Sequence, residues 1–226
     1  LVVTHPREDD ESQLIVYVPR DIIISVRDAK TIILSRLVCT SRITLWATGS
    51  VTLDRVVVGK SAYVICRNAS ILFCDLERLH CDASDEIRVK GCRRISNIVL
   101  SSIHGNVYVD CTAAHRFSSS ILHGISTAVV DETKKMKITT QCGLIDVRAN
   151  VIRRLDLCST VGLIRARVLN MDSLSIITTS ADVEIHGDVK RGGVRTLSGS
   201  LFGKGKVEPR FNTQTGENKW GTERRT

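Results

Sequence analysis

With 226 residues, 42% of them apolar and 25% charged, the chain has the composition of a globular domain large enough to bury a core. It holds no apolar run near the roughly 20 residues of a membrane-spanning helix, so no membrane insertion is expected, and Leu1-Val2-Val3 meets Pro6 and an acidic cluster too soon for a signal peptide. A net charge of +8, with 22 of the 32 basic residues arginine, leaves an anionic partner open.

In chain order, residues 1–13 are expected to be an exposed, acidic lead-in to a domain spanning 14–203. Leu14–Val18 alternates like a strand, which Pro19 ends. Residues 21–38, with DIIISV and TIILSRLV around Asp28-Ala29-Lys30, read as a first coil buried on both faces. Its open edge is expected to be lidded by Leu14–Val18. Looser units follow, with Trp46 at one bend, Phe73 in the next, a short charged unit at Glu86–Val89 and Arg93-Arg94 in a connection. His104-Gly105 marks another bend, and Ala113–Ser120 reads as an insertion.

One fourteen-residue phrase is then written three times at a 19-residue step: MKITTQCGLIDVRA from Met136, LDLCSTVGLIRARV from Leu155 and LSIITTSADVEIHG from Leu174. Apolar residues at places one and three precede a Thr/Ser-rich turn, a small residue at place eight and aliphatics at ten and twelve. Self-similarity at such a period predicts a solenoid, because each unit is too small to hold a core alone. Extended over the chain, place ten reads Ile32, Val51, Ile71, Ile87, Val107, Ala128, Ile145, Ile164, Val183 and Leu201. Place twelve reads Leu34, Leu53, Phe73, Val89, Val109, Val130, Val147, Ala166, Ile185 and Gly203. Place eight is small at Gly49, Ala69, Gly105, Ser126, Gly143, Gly162, Ala181 and Gly199, with Lys30 and Asp85 as exceptions. The predicted fold is all-β: a single-stranded, right-handed parallel β-solenoid (β-helix) of about ten coils of roughly 19 residues, with a β-sandwich as the alternative. From Lys204 the periodicity stops, and 204–226 reads as a polar, basic tail carrying Phe211 and Trp220.

The GLIDVRA, GLIRARV and ADVEIHG endings resemble the β-solenoid family of bacterial putative adhesins, a domain of unknown function with mitochondrial eukaryotic relatives. The resemblance covers about residues 20–203 and implies a β-solenoid; it carries over no catalytic residue.

Chemistry is sparse. The histidines at 5, 80, 104, 115, 123 and 186 stand in no triad or metal-pair spacing, and the eight cysteines form no CxxC pair. Cys74, His80, Cys81 and Cys92 lack the paired spacing of a zinc site. No metal, cofactor or small-molecule substrate is expected, and the cysteines read as small buried hydrophobes of a reducing compartment. Asp146 and Glu184 share an outward column with Arg165 between them, which suits sheet-stabilising pairs better than an acid and base. Asn68-Ala69-Ser70 matches a glycosylation sequon by chance, and Gly203-Lys204-Gly205-Lys206 is too short for a P-loop.

Outward place thirteen turns basic towards the C-terminus, at Arg148, Arg167, His186 and Lys204, after Ser35, Asp54, Cys74, Lys90, Asp110 and Asp131. With Phe211, Trp220, Arg224 and Arg225 of the tail, these are the candidate partner-binding residues. The expected function is that of a non-enzymatic scaffold or assembly subunit binding other protein subunits. RNA binding through the basic stripe is the alternative, and an extracellular adhesin a third. The arginine bias, the absent initiator Met and the resemblance suggest mitochondria.

Overall fold

The computed structural model describes residues 2–3, 23–205 and 209–222. Every strand pairing is parallel, no helix occurs among the described residues, and the strands wind into a β-solenoid of about ten turns. Each coil contributes three runs, and each run lies against its counterpart one coil away. The first stacks Ile43, Ala62, Leu79, Ile98 and Phe117. The second stacks Ile32, Val51, Ala69, Ile87 and Val107. The short third stacks Cys39, Val58, Leu76, Ile95 and Ala114. All of these side chains are buried, so the core is a set of ladders in which each rung covers the next.

Two coils sit two residues away from the register expected of them. Val51 pairs with Ala69 and Leu53 with Ile71, which moves Ile71 to place twelve and Phe73 to place fourteen. There Phe73 adopts a left-handed φ of 52° and is 55% exposed rather than inward. Three coils further along, Gly124 and not Ser126 stacks between Gly105 and Gly143, so Ser126 takes place ten and Ala128 place twelve. Strand side chains alternate with a period of two, so within a strand a slip of two keeps a residue on its face, and Phe73 escapes this only because it lies past the strand end at Leu72. Ile71, Ala128 and Val130 accordingly remain buried despite the slip.

Place eight forms the sharpest corner. Gly105, Gly124, Gly143 and Gly162 have φ between 128° and 142°, and a Cβ on any of the last three would strike the carbonyl oxygen of the glycine one coil back. Only glycine meets both demands. Where the column lacks glycine, Arg67 and not Ala69 stands at place eight, and its Nε donates to Asp85 Oδ2 of the next coil at 2.6 Å.

The ends depart from expectation. Of the segment 21–38, the described residues 23–38 are not buried on both faces, since Ile23 and Ile33 are 59% and 68% exposed, and the edge at Ser25-Val26 is paired by Val2-Val3. Leu14–Val18, the expected lid, lies outside the described residues. Ala113–Ser120 is no insertion, and Arg93-Arg94 is no connection: Ala113 pairs with Arg94 and Phe117 with Ile98 in an unbroken ladder. The described residues of the expected tail add a further coil instead. Arg210–Asn212 pairs with Gly193–Arg195, and Asn218–Thr222 with Leu201–Gly205. Trp220 thereby continues the place-twelve ladder after Ile185 and Gly203, which accounts for the glycine there: a Cβ on Gly203 would lie 2.5 Å from the Trp220 ring.

Candidate interaction surface

Three outward surfaces carry chemistry. The first is the expected basic stripe. His186 and Lys204 are direct neighbours, and Arg148 and Arg167 occupy the same exposed place on the preceding coils. Leu72 and Val129, rather than Cys74 and Asp131, complete this column, because of the two-residue slips. The stripe is largely neutralised by the column beside it. Glu184 lies 2.6 Å from Arg165, 2.9 Å from His186 and 3.8 Å from Arg167, while Asp146 accepts from Arg148 at 2.9 Å. Arg165 above all, and then His186, hold the Glu184 carboxyl below its ordinary range against the opposing effect of burial. Asp146 is itself buried, at 6% exposure, and its Oδ1 has no hydrogen-bond partner among the described residues.

The C-terminal candidates divide. Phe211 and Trp220 are half-buried and pack on the core, so they close the end of the stack rather than project from it. Arg224 and Arg225 lie outside the described residues. Lys219 sits 5.9 Å from the Phe202 ring and 2.8 Å from Glu217.

The second surface is an apolar ridge on the glycine corner. Ile103 (52% exposed) on one coil and Leu122 (43%) and Ile125 (40%) on the next make it up, and Val161 (48%) continues the corner further along. Between Ile103 and Ile125 the His104 and His123 rings lie parallel, 5.6 Å apart and 6° from coplanar orientation. The sequence carried this signal as Ile103-His104-Gly105 and Leu122-His123-Gly124, repeated at the 19-residue step. Reading His104 as an isolated turn residue passed over it.

The third surface is a basic edge, unforeseen because its residues fall in the variable link between phrases. Arg42 pairs with Ser61, Arg78 with Asn97 and Asn97 with Arg116, and Lys135 and Arg154 follow at the 19-residue step. Among the described residues Arg42, Arg94, Arg116, Lys134, Lys135 and Arg153 have no carboxylate within ion-pair distance, whereas Arg154 is paired with Asp156 at 2.8 Å. His115 registers the field: Lys134 first, then burial, Arg116, Arg153 and Arg94 push its imidazole below the ordinary histidine value. Beside Arg42 and Arg78 a groove of about 380 Å³ runs over Tyr63 and His80, whose rings stack at 4.7 Å.

The four residues weighed for zinc are kept apart, with His80 outward on Tyr63, Cys81 inward beside Cys66, and Cys74 and Cys92 at another corner. Among the described residues, no three His, Cys, Asp or Glu gather as a metal site. No disulfide links any of the eight cysteines. Compared with known proteins, the chain matches no family model, no curated protein and no solved structure.

Proposed function

We propose that this protein is a non-enzymatic scaffold or assembly subunit that packs against other protein chains through its outward faces. The observation that carries this reading is the apolar ridge of Ile103, Leu122 and Ile125, held on a corner stiffened by stacked glycines. Exposed apolar side chains gathered on one corner mark a surface that another molecule covers. A ladder core resists bending, so a partner meets a fixed surface and loses little to reordering. The ion-paired carboxylates of the stripe suit sheet stabilisation and leave no acid and base poised against each other. Eight free thiols favour a reducing compartment, and with the arginine bias and the adhesin-family resemblance a mitochondrial location is the one we propose.

The test is the size of the native species. The tagged 226-residue chain in a cell extract should elute far above its 25.0 kDa mass, while the purified chain elutes as a monomer. Leu122→Asp, on the exposed ridge, should return the extract species to monomer size at an unchanged melting temperature. Monomeric wild-type protein in the extract would refute the scaffold reading.

A further inference from the structure

We infer that the basic edge together with the Tyr63/His80 groove binds single-stranded nucleic acid, its backbone following the edge and a base stacking on the ring pair. This goes beyond the scaffold reading and uses another face, so either can fail alone. Charge argues first. Arg42, Arg78, Arg116 and Lys135 stand on one edge at successive or alternate coils, about 4.8 Å per coil, and Lys134, Arg153 and Arg94 converge beside them on His115. Arg116 and Lys135 are directly successive, and like charges held this close destabilise the sheet unless an anion compensates them; among the described residues Arg78 meets only Glu77, at 3.7 Å. Most of these cations have no carboxylate partner among the described residues, unlike those of the Arg148–Arg167 stripe.

The rings make the choice among polyanions. An acidic peptide or inorganic polyphosphate needs only the cations; a single strand also offers planar bases. Tyr63 and His80 stack with an interplanar angle of 20°, and Asp82 fixes the imidazole at 3.0 Å. Thr44 and Ser61, both small, line the groove at the Tyr63 end and leave room for a further ring on the stack. Arg42, on the coil of Thr44, and Arg78, on the coil of His80, line the groove at its two ends, where successive phosphates of the strand would lie. A duplex is disfavoured, because its bases are already stacked and the groove is too small to take a helix.

The experiment measures fluorescence anisotropy of a labelled ten-nucleotide oligouridylate with the full chain at 50 and 200 mM salt, with labelled decaglutamate as the charge-only probe. The oligonucleotide should bind more tightly than decaglutamate, and its affinity should fall steeply with salt through counterion release. Arg116→Glu with Lys135→Glu should weaken it at least about tenfold and flatten the salt dependence. Tyr63→Leu should weaken oligouridylate about tenfold and leave decaglutamate unchanged, while Tyr63→Phe retains binding. Arg148→Glu with Arg167→Glu, on the neutralised stripe, should change neither. Absence of oligouridylate binding at 50 mM salt would overturn the inference. So would equal binding of decaglutamate with no effect of Tyr63→Leu, which would make the edge a docking site for an acidic protein.

Discussion

His115 reports the basic edge from within, since its imidazole is exposed and its depressed pKa comes chiefly from Lys134. The folded chain takes up this proton less readily than the unfolded chain. Its protonation therefore favours unfolding as pH falls through the ordinary histidine range. Lys134→Gln should move the His115 pKa, followed by proton NMR, up towards the ordinary value, and an unmoved pKa would mean the cations do not converge there. The cysteines give a second residue-level prediction. Burial raises the thiols of Cys92 and Cys111 to about 12, and six of the eight are buried, with Cys142 and Cys158 only half so. Thiol titration of the native protein should label no more than those two, and all eight should react in denaturant without reductant.

Among the elements, the place-eight corner is sensitive to a single methyl group. Gly143→Ala would put a Cβ against the Gly124 carbonyl in a backbone conformation that L residues avoid, and should cost about 2–4 kcal/mol in urea denaturation. Gly221→Ala should be nearly neutral, since a Cβ there meets nothing closer than 3.8 Å. This corner was legible in the sequence because glycine, unlike an aliphatic, marks a single place. Where Arg67 replaces it, the register was lost by two residues, and alternation cannot detect such a slip because Ile71 is inward either way. The same ambiguity hid Gly124, next to the repeated His-Gly pairs that define the apolar ridge. The basic edge escaped for another reason: its members gather only when links of similar length stack, and no single phrase contains them.

At the level of the whole molecule, the C-terminal residues were read as a tail because polar strands without aliphatics lack the repeat's signature. What recruits them is the open end of the core, which Phe211 and Trp220 close with aromatic area. Removing Arg210–Thr226 should uncover that end, cost about 2–3 kcal/mol and lower the melting temperature by roughly 5–10 °C. A truncated chain that melts with the wild type would return these residues to the status of a tail. Every surface described depends on coils stacked in parallel at the 19-residue step, so the most direct test is a covalent one. Thr139 and Cys158 share an outward, half-buried place on adjacent coils, in the register fixed by Gly143 over Gly162. Neighbouring strands hold such a pair about 4.8 Å apart, within the Cα separation that a disulfide spans. Oxidation of the Thr139→Cys protein should yield, by mass spectrometry, a peptide in which the new thiol is disulfide-linked to Cys158, whereas Lys137→Cys, two residues away on the same face, should not link to Cys158. Linkage through position 137 and not 139 would contradict the stacking register on which the ridge and the basic edge both rest.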